Sequence, residues 1–319
     1  MENDSSTVGS RPDYDDEIDF RELFAALWSA KKTIVVIVVI SGLISVQTAL
    51  SLPDKYSSEA SLAPRSGGGV GGALGQMASQ FGGLASLAGV NLGGLGAQGS
   101  VGVAVAMLQS REFFKTYLYD AVLVDLMAAE GWDRATGEVV LNDSLFDKES
   151  KTWVREIGAP FQAKPSVQEA YRVFSEGVLT VTEDAKTSFV KVKVTHYSPV
   201  VARNWVTLIV NGVNEAVMAR DVEEAEKSIE FLNQQRLKTN LVSLKEMFAE
   251  LIEQQTKTVM LANASDEYVF QVIEPPVATE LKSGPNRPLI CVLGTLLGGI
   301  LAVMFVLIRY FIGKETDSL

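Results

Sequence analysis

Two stretches of the chain are apolar almost without interruption, and much of the rest alternates apolar and polar positions at strand or helix spacing. Residues 33–52 (TIVVIVVISGLISVQTALSL) and 289–312 (LICVLGTLLGGILAVMFVLIRYFI) carry one charge between them, Arg309. Each is long enough to cross a hydrocarbon layer of about 30 Å, so the pattern predicts a transmembrane helix near each end.

Between the spans the first pattern has period two. Tyr56, Ser58, Ala60 and Leu62 alternate with Ser57, Glu59, Ser61 and Ala63, which predicts a short strand directly after the first span. Residues 66–100 are low in complexity and rich in glycine, and read as a mobile, partly apolar loop. From Val103 to about Glu130, Met107, Phe114, Leu118, Val122 and Leu126 recur at helical spacing, which predicts a helix with room for one break, ended by Gly131. Residues 132–164 have no clear period. Pro165 and Ser166 open a short helix that runs through Phe174 and is closed by Gly177. Residues 178–183 and 189–195 predict a hairpin, with Val190, Val192 and Val194 on the buried face and Lys191, Lys193 and Thr195 on the wet one. Residues 267–274 (EYVFQVIE) predict a closing strand, placed in one sheet with the first because both lie next to a span.

The longest pattern is helical. No glycine or proline occurs between Gly212 and Pro275, Ser198 and Pro199 have the chemistry of an N-cap and a first helical residue, and helical spacing persists to residue 262. Unbroken, residues 199–262 would make a rod of about 95 Å. Val222, Ala225, Ile229 and Leu232 follow a three-four register, and Leu237, Leu241, Leu244, Phe248 and Leu251 follow it again one residue out of step. The step, at residues 234–236, fits either a locally rewound rod or a turn between two antiparallel helices. The second register is a candidate subunit or helix seam. A solvated helix covering its own domain would also carry charges such as Glu223, Glu224, Glu226 and Lys227.

The expected architecture is therefore an α+β membrane protein in which two transmembrane helices bracket an α/β base domain with a very long helix. Its parts are a leader (1–32), a first span (33–52), a domain (53–288), a second span (289–312) and a tail (313–319). Lys31 and Lys32 abut the first span and orient the N-terminus to the cytoplasm, and a second span returns the C-terminus there. The leader is too long and too acidic for a cleaved signal, with Asp13, Asp15, Asp16, Glu17 and Asp19. The formal net charge of −11 argues against a nucleic-acid partner, because neutralising phosphates needs a basic surface. The single cysteine, Cys291, lies in the second span, so no intrachain disulfide can form.

Candidate chemistry is sparse. His196 is the only histidine, which leaves no His-based triad, and its place between a strand and a helix start predicts a structural role. No Cys/His cluster has metal-ligand spacing, so no metal is expected. Gly67, Gly69 and Gly72 match a G-x-G-x-x-G pattern that is nearly unavoidable in so glycine-rich a stretch, and no phosphate-binding P-loop is present. Neither a catalytic site nor a cofactor is expected, and the chain reads as no enzyme. Gly294 and Gly298, with Gly299 adjacent, form a G-x-x-x-G face that lets two helices meet backbone to backbone in lipid, with Gly42 and Ser45 on the first span as the candidate complement.

Taken in order, a short amphipathic leader (residues 18–28), a span, a strand, a glycine-rich loop, an α/β base with a long helix and a proline-rich approach to a second span resemble the polysaccharide co-polymerases. These are the Wzz-like chain-length determinant proteins of lipopolysaccharide O antigen. The resemblance covers nearly the whole chain, and its most specific part is Pro275, Pro276, Ser283, Pro285 and Pro288, followed by the glycines at 294, 298 and 299. A further spaced proline near residues 278–280 is missing, and Gly284 separates Ser283 from Pro285. The prolines bar helix and ladder formation, which predicts a stiff extended arm between sheet and membrane. The resemblance implies a cyclic homo-oligomer in a bacterial inner membrane with its bulk in the periplasm. It also implies a non-enzymatic role in setting chain length beside a separate Wzy-type polymerase, with lipid-linked polysaccharide and membrane lipid as further partners. With seven residues after the second span, it resembles the members without an attached tyrosine kinase. The alternative is a periplasmic export adaptor that reaches an outer-membrane channel for polysaccharide or efflux.

Overall fold

The computed structural model describes residues 27–65 and 97–316. Residues 1–26 of the leader, residues 66–96 of the glycine-rich stretch with its G-x-G-x-x-G pattern, and residues 317–319 lie outside the described residues. The elements in order are α1 (Lys31–Ser51), β1 (Tyr56–Pro64), α2 (Ala97–Leu108), α3 (Arg111–Phe113), a π turn (Phe114–Leu118), α4 (Tyr119–Ala128), β2 (Ala129–Trp132), β3 (Val139–Leu141), β4 (Phe146–Asp147), β5 (Thr152–Trp153), α5 (Val167–Gly177), β6 (Leu179–Glu183), β7 (Val190–His196), α6 (Pro199–Lys238), α7 (Val242–Ala262), β8 (Phe270–Glu274) and α8 (Arg287–Thr316). They form two compact units, one spanning Pro53–Gly284 and the other built from the chain before Pro53 and after Gly284.

The first unit is built on a four-stranded antiparallel sheet in the order β6-β7-β1-β8. β1 pairs with β7 from Tyr56↔His196 to Leu62↔Val190, and with β8 at Leu62↔Val272 and Pro64↔Phe270, with a register shift between Ser61 and Leu62. Strands from opposite ends of the domain are thus neighbours, as the sequence predicts. The closing strand begins at Phe270 rather than at residue 267, because Tyr268 and Val269 turn into the core first.

The alternation in β7 decides which face is covered. Val190, Val192 and Val194 are fully buried, and α6 packs across β1 and β7 with Trp205, Val206, Ile209, Val210, Val213 and Val217. Fully burying an aliphatic side chain of this kind is worth about 1.5–3 kcal/mol, so this layer dominates the stability of the domain. Phe114 and Phe174 close its far side, with ring centroids 5.0 Å apart. Asn214 and Asp221 are polar residues buried in α6, and Asn214 meets β8. Its Oδ1 accepts from the backbone N–H groups of Val269 and Phe270, both at 2.9 Å, and its Nδ2 donates to the Phe270 carbonyl at 3.2 Å, which fixes the start of β8 against the helix.

Local signals explain the helix ends. Ser198 accepts from Val201 N–H with Pro199 at the first helical position, and Ser166 accepts from Glu169 N–H at the start of α5. The predicted 103–130 helix is broken at Gln109 and Ser110, where Ser110 caps α3 by accepting from Phe113 N–H. It ends at Ala128, because residues 129–132 pair with β3 and Gly131 falls in a strand beside a bulge. At its N-terminal end the helix reaches back to Ala97, inside the stretch read as loop to residue 100, since burial of Val101, Ala104 and Leu108 holds it. The irregular stretch 132–164 is pinned by a part-buried ion pair: the Arg155 guanidinium donates to both Glu169 oxygens, at 2.6 and 2.8 Å, and to the carbonyls of Ala163 and Gln162.

Residues 199–262 form a hairpin rather than one rod. α6 has 40 residues, about 60 Å, and α7 has 21, with Thr239 and Leu241 extended between them. The turn falls after the register step at 234–236 because Arg236 and Lys238 complete the last turn of α6, where cations favour the helix C-terminus.

Candidate functional site

Three features gather the residues that the sequence singles out. The first is the helical hairpin. Leu244, Phe248 and Leu251 are half-buried on one face of α7, and that stripe continues at helical spacing to Gln255, Thr258 and Ala262, the last two buried. Leu237 and Leu241 do not join it: at the end of the hairpin they remain 83% and 62% exposed. Where α6 and α7 run side by side, Phe231, Leu232, Leu251 and Gln255 border a cleft that the sequence does not announce. At the base of the hairpin, Tyr268 donates to buried Asp221 at 3.1 Å, and burial pushes the Tyr268 hydroxyl well above the ordinary phenol range.

The second feature is the proline arm. It is not free-standing, since from Val277 to Gly284 it is sewn to the start of β1. Ser58 Oγ donates to the Val277 carbonyl at 2.8 Å, Thr279 Oγ1 donates to the Ser57 carbonyl at 3.1 Å, and Ser57 Oγ donates to Ser283 Oγ at 2.8 Å. Ser283 N–H and Oγ both donate to the Lys55 carbonyl, and Lys55 N–H donates to the Gly284 carbonyl at 2.8 Å. Pro275 and Pro276 sit just before this ladder, and removing their N–H donors ends β8 there. The sequence shows the serines of β1 and Ser283 only as separate positions, and the hydroxyl ladder that joins them is a finding of the structure.

The third feature is the other unit, in which α1 and α8 pack antiparallel. Gly294 faces Ser45 so closely that an added Cβ would lie 2.6 Å from the Ser45 Cβ. Gly298 faces Ser41, where an added Cβ would overlap the serine side chain and lie 3.9 Å from its Cα. Gly299 looks onto Val38, and Gly42 onto Thr295. Ser45 Oγ donates to the Ile290 carbonyl at 2.9 Å, a bond between helices of the kind that holds spans together in lipid. Pro285 and Pro288 flank Arg287 at the start of α8, and Asn286 Oδ1 accepts from Leu289 N–H. Ser41 is the partner that the sequence reading missed, although its spacing of four from Ser45 mirrors that of the two glycines.

Comparison with known proteins places these features. Residues 16–121 match the family model for chain length determinant protein (Wzz), and residues 230–311 match GNVR, a G-rich domain described on tyrosine kinases. About a third of the chain is thus similar to the chain length determinant model and a further quarter to the GNVR model. The Wzz match takes in α1, β1 and α2, and the GNVR match takes in the C-terminal end of α6, then α7, β8, the arm and most of α8. Among solved structures it is similar to a full-length bacterial polysaccharide co-polymerase, at 13% identity over 94% of this chain and 99% of that one, with a TM-score of 0.37. A fragment of WzzB, a polysaccharide co-polymerase from Salmonella Typhimurium, is 12% identical over 73% of this chain and all of that one, with a TM-score of 0.27. No curated protein matches the chain.

His196, Asp125, Asp221 and Tyr268 are, among the described residues, titratable groups packed into the fold. Among the described residues no three His, Cys, Asp or Glu side chains gather as a metal site would require. His196 is 5% exposed: its Nδ1 accepts from Ser198 N–H and its Nε2 lies 3.1 Å from the Asp125 carbonyl, so the neutral imidazole donates through Nε2. Burial lowers its pKa, with the Asp125 carbonyl acting against that shift, while burial raises the Asp125 carboxyl. Below about pH 6.5 the unfolded chain takes up a proton that folded His196 resists, so stability is expected to fall as pH drops from there, by up to about 1.4 kcal/mol per pH unit. Asp125 has the opposite sign, gaining its proton more readily in the folded state, and offsets part of the loss at lower pH. Unfolding midpoints at pH 7.5 and 5.5 check this: the drop should shrink in His196→Gln, and an equal drop in both proteins would remove His196 as its source.

Proposed function

We propose that this chain is a non-enzymatic regulator of polysaccharide chain length, acting on lipopolysaccharide O antigen as an oligomeric co-polymerase beside a separate Wzy-type polymerase. The observation that carries the reading is the pair of family matches, which fall on both ends of the architecture: the first span with its strand, and the returning arm of the hairpin with the second span. The geometry supports it further, because the features that stand out are surfaces for assembly, namely a long hairpin, a tethered arm and two tightly packed spans.

In this reading the protein is a two-pass protein of a bacterial inner membrane, with residues 53–288 in the periplasm and both termini in the cytoplasm. An alkaline phosphatase fusion after Ser318 should be inactive and a cytoplasmic reporter there active; the reverse would overturn the topology. Regulation without catalysis predicts that clean deletion leaves sugar polymerisation running while the product loses its preferred size. Gel banding of lipopolysaccharide from cells with and without the gene reads this directly. Complete loss of polymer, with the polymerase at normal levels, would make the chain a polymerising component instead.

A further inference from the structure

We propose that the cleft between α6 and α7 is a carbohydrate-binding site that takes a short run of sugar residues from the polysaccharide. This rests on the chain-length reading above and assigns the contact within it. The cleft has a volume of about 530 Å³, within the range of small-molecule sites, and half-buried Leu232 and Leu251 contribute to its lining.

Three observations point to a sugar. Phe231 on its wall is 59% exposed, an aromatic ring left uncovered beside a cavity, and the C–H face of a pyranose packs on such a ring. Gln255 Oε1 is buried with no hydrogen-bond partner, an acceptor that a hydroxyl could satisfy. The lining is balanced in charge, Arg220 and Lys227 against Glu223 and Glu224, in a chain whose net charge is −11.

That balance disfavours a polyanion, which needs excess positive charge, and four charged groups disfavour a purely apolar ligand. A polyhydroxylated ligand fits both conditions, since each hydroxyl can donate to a carboxylate or to Gln255 and accept from the guanidinium or ammonium groups. Lys227 already pairs with Glu223 four residues earlier and one Arg220 nitrogen donates to Asp221 at 3.1 Å, so Glu224, Gln255 and the remaining Arg220 N–H groups are assigned to the sugar.

The test uses the full-length chain in nanodiscs and, as probe, end-labelled polysaccharide released by mild acid from the host's own lipopolysaccharide, with binding read by fluorescence anisotropy. Wild type should bind. Phe231→Ala should weaken binding about tenfold, Gln255→Leu should weaken it less, and Phe231→Tyr should restore it. Leu237→Ala, outside the cleft, should bind as wild type does. Phe231 is exposed, so its variants should melt as wild type does.

Binding by Phe231→Ala equal to wild type, or no binding by wild type, overturns the site. So does a change in assembly mass in Phe231→Ala, which would make the cleft a contact between subunits. The gel separates the two failures: if gene deletion shifts the length distribution while Phe231→Ala and Gln255→Leu leave it unchanged, the site fails and the chain-length reading stands. If deletion changes nothing, that reading fails first.

Discussion

Gly298→Leu is expected to separate the two spans and to flatten the preferred polysaccharide length, with Gly294→Leu close behind. Both glycines face serine side chains across the α1–α8 contact with no room for a Cβ, so a leucine forces the helix backbones apart. Overpacking a close contact typically costs about 1–3 kcal/mol, and in lipid no hydrophobic gain between the helices offsets it. Leu296→Ala is the control, because Leu296 is 55% exposed on α8 and trimming it leaves the contact intact. The readout is disulfide cross-linking of Val38→Cys with Gly299→Cys in a Cys291→Ala background, positions that lie in contact across the spans. Cross-linking should fall severalfold with Gly298→Leu and hold with Leu296→Ala; equal yields would make the glycines incidental. The mass of the nanodisc assembly, measured alongside, tests the cyclic oligomer, and a monomer under gentle extraction would defeat it.

The second large effect lies far from the spans in sequence. Arg155→Ala should destabilise the domain by about 3–5 kcal/mol, because it leaves the Glu169 carboxylate nearly buried without its guanidinium and frees the carbonyls of Ala163 and Gln162. For a domain of this size that corresponds to a fall of about 10 °C in the unfolding midpoint. Arg155→Met combined with Glu169→Leu should recover part of the loss, since two apolar groups leave no stranded charge. The guanidinium holds the Glu169 carboxyl below its ordinary value of 4.5. Its contribution is therefore complete above about pH 4.5 and disappears as pH falls through the lower folded value. A single-variant loss under about 1 kcal/mol would reduce the pair to an ordinary surface contact.

Legibility in the sequence followed the range of the interaction. Ser198 with Pro199, Ser166, and the valines of β7 announce themselves within a few residues, and the structure uses each as predicted. Arg155 and Glu169 did not stand out, because a buried pair and two exposed charges look alike until the chain between them has folded. Asn214 was equally silent: a lone asparagine on an apolar helix face gains meaning only when β8 arrives with unpaired backbone groups. Phe231 stands outside both apolar registers of the sequence, and only the return of α7 shows that it borders a cleft.

The sequence by itself determined the two apolar spans, the strand next to each, the hairpin of β6 and β7, and the helical character of residues 199–262. All of these are set by local periodicity, capping and hydrocarbon thickness. Tertiary structure decided that the long helical region folds back on itself, since a step in the apolar register fits a rod and a hairpin equally well until a partner face is present. It also decided that the proline arm is laced to β1, because prolines state what a segment cannot do and only the facing serines and Lys55 carbonyl supply what it does. In the spans, the sequence supplied small residues at matching intervals on both helices, and which serine meets which glycine was settled by the antiparallel crossing alone.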